Sequence, residues 1–253
     1  TTTMRTKRAI NESAQFVSNA DKGITWLDSA DNALMEATKV LQRSRTLLVY
    51  GANGTNTQDE FNIISTELDE LLKHLVNISN TSINGRHIFA GQKTLAKPFQ
   101  YDEATKTVEY IGDSDYIQVE ISPGVRETIG EPGINIFGQA MNPGDEGIFA
   151  TLIKASQDLR DGNPMDDNLA KLDKAIEDLL QRQASIGTKS QSMRLSRDRL
   201  EEQNINFQKL LSETKDLDIA KATIDLMTEA SIHIMSLKVG AKIIQPSLVD
   251  FLN

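Results

Sequence analysis

Apolar side chains recur every seven residues along residues 164–217. Leu172, Leu179, Ile186, Met193, Leu200 and Phe207 make one unbroken track. Leu169, Ile176, Gln183, Ser190, Arg197, Asn204 and Leu211 make a second beside it. Tracks offset by three and four residues form the seam of a coiled coil, because both return to one face of the helix every two turns. The second track is polar through its middle, so only one face is expected to stay apolar throughout. With no internal proline and a single glycine, Gly187, the segment predicts a helix of about 75 Å at 1.5 Å per residue. Such a helix needs other helices laid along it and cannot enclose a pocket.

Residues 4–50 repeat the pattern. One track reads Ala20, Leu27, Leu34, Leu41 and Leu48; the other begins Ile10, Val17 and Ile24 and turns polar at Asp31, Thr38 and Arg45. Gly23 costs about 1 kcal/mol against alanine inside a helix, but its neighbours keep the period and the helix is expected to continue. The turn cluster Gly51–Asn56 ends it. Thr57 with Glu60 three residues on predicts a capping box. A second helix then uses Phe61, Ile64, Leu68, Leu71, Leu75 and Ile78 and runs antiparallel to the first after its short loop.

At Asn84-Gly85 the period changes to two. Ile88–Gly91, Pro98–Tyr101, Thr107–Ile111 and Tyr116–Ile121 are candidate strands, with a fifth around Ile134–Phe137. Residues 86–140 therefore predict a thin β sandwich or meander packed on the helices. Asp145–Leu159 returns to helix, and Asp161-Gly162-Asn163-Pro164 breaks it before the long heptad segment. A last helix is expected from about Asp216 to Ile244, stopped by Pro246. The fold class predicted is mainly α with a β-rich insert: an elongated antiparallel helical bundle or coiled-coil rod carrying a small all-β domain. The domains expected are a discontinuous helical rod (1–85 and 141–217), the insert (86–140), and a C-terminal assembly helix and tail (218–253).

Composition narrows the function classes. A hydrophobic content of 39% with 5% aromatics suits zippered helices better than a compact enzyme core. The net charge of −9 gives no general attraction for phosphate, so neither nucleic acid nor an anionic membrane is expected as a partner. The chain has no cysteine, which excludes disulfides and thiolate metal sites. Thr1–Asn19 lacks the apolar core of a Sec signal, and no run of about eighteen apolar residues occurs. The chain opens in mid-pattern, as a fragment missing its natural N-terminus would.

Catalytic and metal signals are poor, and neither a cofactor, a metal site nor a catalytic residue is expected. His74, His87 and His233 lie in three separate elements without metal-ligand spacing. Asp161-Gly162-Asn163 with Asp166 and Asp167 lacks the oxygen spacing and closing Glu of a calcium loop, and helix capping accounts for these acids. Asp69-Glu70 and the set Arg194, Arg197 and Arg199 read as a solvated face. The residues expected to work are apolar: Ile219, Leu226, Ile234, Leu237, Ile244, Leu248 and Phe251, as contacts between subunits.

Helices, a β insert, then helices returning along the first set is the layout of the flagellin-like axial proteins of the bacterial flagellum. Two stretches make the resemblance specific. Asn80-Thr81-Ser82-Ile83-Asn84-Gly85-Arg86-His87-Ile88-Phe89-Ala90-Gly91 resembles the segment that enters the insert in the hook–filament junction members of that family, although His87 and Ala90 stand where tyrosine and serine are more usual. The run from Leu237 to Leu252 is similar to their C-terminus. Trp26–Leu34 and Leu41–Arg45 resemble motifs shared with flagellin.

The resemblance implies a secreted, extracellular structural adaptor, exported unfolded through the flagellar type III apparatus. It further implies a homo-oligomeric ring between the other hook–filament junction protein and flagellin, and an export chaperone that holds the C-terminal segment. The filament subunit, flagellin itself, is the neighbouring reading within the class. A secreted enzyme or effector with a site in the β insert is the rival from outside it.

Overall fold

The computed structural model describes residues 2–53, 56–142 and 144–244. The first heptad segment is helix α1 (Thr2–Gly51), unbroken at Gly23. Gly23 is needed where it stands: a Cβ there would run into the Met193 side chain and approach Ile129 to 3.1 Å. Helix α2 (Gln58–Ser79) starts on the expected capping box, with the Thr57 side chain accepting from the Glu60 N–H and the Glu60 carboxylate accepting from the Thr57 N–H. Helix α4 spans Ile148–Asp161 and ends on left-handed Gly162.

The long helix departs from expectation. No break occurs near residue 217, and α5 runs from Asp166 to Ile244 as one helix of 79 residues. The stretch Ser212–Asp218 contains neither glycine nor proline, so nothing in it stops the helix.

Two compact units share the chain: Gln15–Leu200, and Thr1–Ala14 with Glu201–Asn253. In the first, Leu34, Leu41 and Leu48 of α1 and Leu68, Leu72 and Leu75 of α2 form one apolar core with Leu152 and Leu159 of α4 and Leu172 and Leu179 of α5. The α1–α2 pair is antiparallel, since Arg43 meets Glu67 at 2.5 Å and Glu36 meets His74 at 3.4 Å, seven residues forward in one helix matching seven back in the other. Helix α2 comes closest to α4, where the small side chains Ser65 and Ser156 meet at 3.2 Å.

The β segment is neither a sandwich nor a meander but three separate antiparallel hairpins. β1 (Ser82–Ile83) and β2 (Arg86–His87) are joined by Asn84-Gly85, both at positive φ (49° and 76°), the two-residue turn that matches strand twist. β3 (Phe99–Asp102) pairs with β4 (Thr107–Tyr110), and β5 (Ile117–Ser122) with β6 (Val125–Gly130). The β5–β6 turn closes at Gly124, where an added Cβ would meet nothing within 4 Å.

Two expected strands are absent. Residues 88–90 each spend a backbone group on a different partner: Ile88 N–H on Thr81, Phe89 C=O on Gly133, Ala90 C=O on Asp113. Residues 134–137 lie instead in helix α3 (Gly133–Phe137), which Pro132 opens and Gly138, at φ 72°, closes. Gly138 also lies against Gly147, and a Cβ on it would sit 2.6 Å from the Glu146 carbonyl.

The hairpins join the helices through two cores. Phe89, Phe99, Phe137 and Phe149 stack edge-to-face or tilted at 5.2–5.9 Å beside α2 and α4. Ile121 and Ile129 of β5–β6 pack on Ala20, Ile24 and Leu27 of α1 and on Met193 of α5.

Asp69, read from sequence as solvated, is 9% exposed and ties α2, α4 and the β3–β4 hairpin together. Ser156 donates to its carboxylate at 2.6 Å, Arg160 at 2.5 Å and Lys106 at 3.3 Å. Burial works against its charge, but the hydrogen bonds from Ser156 and Arg160 and the charges of Arg160 and Lys106 outweigh that and hold its pKa below the usual carboxylate value. A depressed folded-state pKa contributes stability that is present above the unfolded value of about 4 and lost as pH falls through the folded one. In urea titrations, Ser156→Ala should cost about 1–3 kcal/mol, the penalty for leaving a buried acceptor short of a donor. Asp69→Asn should lower stability at neutral pH and flatten its loss as pH falls below about 4; an unchanged acid limb would show that Asp69 contributes none of it.

Candidate assembly surface

The polar half of the long heptad seam finds partners on α1. Within unit Gln15–Leu200, Ser190 donates to Asp28 at 2.8 Å and Arg194 to the other oxygen of the same carboxylate at 2.5 Å. Arg197 reaches Asp21 at 3.6 Å, and Arg45 pairs with Asp173 at 2.5 Å. These partners descend α5 as they climb α1, so the two helices are antiparallel. Arg194 and Arg197 thus work inside the chain, where the sequence suggested an open face. In the other unit, Asn204 donates to the Ile10 carbonyl at 3.1 Å.

Beyond Leu211 and Thr214 the seam ends. Every residue from 215 to 239 whose side chain is described is exposed. Of the expected contact residues, Ile219, Leu226, Ile234 and Leu237 are 53–68% exposed. Ile244 ends the helix, with its side chain outside the description, and Leu248 and Phe251 lie outside the described residues.

Sequence reasoning missed a second stripe: Leu217, Ile224, Ile232, Met235 and Val239, all at least 58% exposed. At 100° per residue its centre lies roughly 165° around the helix from the first. The same count of spacings would have found it, had more than one track been followed. Asp225, Glu229 and Ser236 lie in one arc between the stripes, Ser231 and Lys238 in the other. A helix with apolar stripes on two opposite faces suits a position between other helices. Contiguous exposed apolar surface of this extent marks an interaction site.

Nothing comparable points to chemistry. His87 is half-buried and bonds the Asn80 carbonyl at 2.7 Å, while His74 and His233 are exposed on separate helices. Asp158 accepts from Asn163 and Asn168, and Asp167 pairs with Lys171 at 2.8 Å, so these groups near the α4–α5 junction cap and pair. Among the described residues no three His, Cys, Asp or Glu side chains gather to hold a metal, and no helix is long and apolar enough to cross a membrane.

Residues 1–94 match the family model for the bacterial flagellin N-terminal helical region. Flagellar hook-associated protein 3 of Escherichia coli is 32% identical over 108 residues, 42% of this chain and 33% of that protein. The chain thus spans about a third of the length of that relative. The flagellar filament 33 kDa core protein of Treponema phagedenis is 24% identical over 219 residues, 86% of this chain and 70% of that protein. In fold, the crystal structure of hook-associated protein 3 from Legionella pneumophila superposes with a TM-score of 0.74 at 14% identity, covering 85% of this chain and 99% of that one. The family match thus covers residues 1–94, and the likeness in fold extends over most of the chain. In part of its sequence and in its fold the chain is similar to flagellar hook-associated protein 3.

Leu226→Ser with Leu237→Ser should leave the urea and thermal unfolding of the isolated protein within about 0.5 kcal/mol, as exposed substitutions do. The same double variant should bind less of a solvatochromic apolar dye. A fall of several degrees in melting temperature would place those side chains in the subunit's own core.

Proposed function

We propose that this chain is a structural subunit of the bacterial flagellum, an adaptor at the hook–filament junction that joins the other junction protein to flagellin. The observation that carries the reading is the exposed, doubly striped helix of residues 215–239. Each Leu or Ile fully buried there on assembly contributes roughly 1.5–3 kcal/mol, so the stripes favour a multi-subunit cluster strongly and give the free subunit no use for them. Ile219, Leu226, Ile234, Leu237, Ile244, Leu248 and Phe251 are the assembly contacts in this reading, with the second stripe beside them. Copies of the chain form the homo-oligomer. Export runs through the flagellar type III apparatus, and a chaperone covers the C-terminal segment 218–253 until then.

The filament subunit is a second reading, favoured by the long, lower-identity match to the Treponema filament core protein. Immunogold labelling of intact flagella separates the two: a band at the hook–filament boundary supports the adaptor, and label along the whole filament replaces it with the filament subunit. Leu248→Ser with Phe251→Ser should abolish assembly at the junction, so that flagellin is shed into the medium, while the thermal melting of the purified subunit stays unchanged. Normal filaments in cells carrying this variant would remove these two residues from the interface.

A further inference from the structure

Within unit Gln15–Leu200, α5 is tied down on either side of a bare stretch. Before it, Arg182 pairs with Glu131 at the end of β6; after it, Ser190 and Arg194 meet Asp28 at 2.8 and 2.5 Å. Between these ties, residues 184–189 are exposed apart from Ile186. Ile186 itself is only half-buried, although Leu179 and Met193, one heptad away on either side, are 1% and 3% exposed. A cleft of about 360 Å³ lies beside it, with Trp26, Leu27 and Ile129 in its walls. Ile186 packs at the edge of both apolar cores, so the bare stretch falls where the two meet.

The local sequence is poor for a helix at the same place. Ser185, Gly187, Thr188, Ser190 and Ser192 crowd into eight residues, whereas Leu172–Leu180 and Arg194–Glu202 on either side have no glycine and carry Leu, Lys, Arg and Glu. The Thr188 hydroxyl donates back to the Ala184 carbonyl at 3.0 Å, an arrangement that weakens and bends helices. Gly187 differs in kind from Gly23. At Gly23 a Cβ would strike Met193, so packing requires the glycine; at Gly187 an added Cβ would meet nothing within 4 Å. No close approach calls for glycine there, and what remains of its effect is the freedom it gives the backbone. Sharp bends in helices concentrate at glycine and serine positions of this kind.

We propose that residues 184–189 are a joint in α5, which opens and bends as a local unit while the cores on either side stay packed. Local opening occurs where buried apolar contacts are few, and here one half-buried side chain holds six residues. The cleft gives the Ile186 side chain room to shift as the helix bends. Leu172 and Leu179 remain in the core of α1, α2 and α4, and Met193 remains with Ala20, Ile24 and the β5–β6 hairpin. Helix α1, continuous opposite the joint, follows by the gentle curvature that long helices allow. The joint belongs to the folded subunit and depends on nothing in the assembly reading.

Amide exchange and distance measurements on the whole chain test it. Corrected for intrinsic rates, the amides of residues 185–190 should exchange at least about ten-fold faster than those of 172–179 and 193–200. Gly187→Ala should slow them by about four- to five-fold, the helix propensity difference read as a population. Because the chain has no cysteine, Lys174→Cys with Arg199→Cys takes spin labels at two exposed sites across the joint. A straight helix puts their Cα atoms about 38 Å apart. Wild-type protein should show a broad distribution reaching below that distance, and Gly187→Ala a narrow one. Uniform exchange along 172–200, or one narrow distribution shared by both proteins, overturns the joint. So does a higher urea midpoint for Gly187→Ala without slower exchange at 185–190, which makes Gly187 a weak residue in a rigid helix.

Discussion

The antiparallel seam between α1 and α5 is what everything else leans on. Its apolar track supplies attraction without direction, since a leucine ladder slides by seven residues at little cost. Direction comes from the polar track. One carboxylate, Asp28, accepts from both Ser190 and Arg194, and Arg45 clasps Asp173 further along. A slip of one heptad would part the half-exposed Asp28 from Ser190 and Arg194, and Arg45 from Asp173, so these pairs favour one register over its neighbours. Polar positions in a coiled-coil seam thus fix the register that places β5–β6 and Met193 opposite Gly23.

Much of this architecture was legible in the sequence, for a physical reason. Heptad patterns and capping boxes are local statements repeated many times, so α1, α2 and the start of α5 stood out. The hairpins were half legible: Phe99–Asp102, Thr107–Tyr110 and Ile117–Ser122 follow alternation, but Val125–Gly130 is too polar to announce itself. Ile88–Gly91 and Ile134–Phe137 look like strands because they are apolar, yet their backbone partners come from distant turns that no local window contains. The polar middle of the α5 track misled in the same way, because the partners that satisfy Ser190 and Arg194 lie more than 160 residues earlier. The exposed apolar residues on α5 were legible as one stripe; the second appears only when the whole circumference of the helix is counted.

The two units illustrate different uses of the same helix. Through residue 200, α5 closes a core and its exposed face is largely charged or polar. From 215 to 239 its apolar residues outnumber its charges and are left exposed among the described residues. Stability and incompleteness are thereby separated along one element. The folded unit carries its buried Asp69 network and phenylalanine stack within itself, while the exposed apolar surface beyond residue 215 contributes nothing to that core.

The β5–β6 turn has a further bearing on how such a chain can vary. Gly124 points into open space, and the strands on either side are pinned on α1 and α5 by Ile121 and Ile129. Sequence added at that tip would leave both anchors seated, because lengthening a surface loop adds little to the entropy of closing it. The hairpin is therefore a natural graft point, where a reporter or an extra lobe could be carried while the helices beneath keep their spacing.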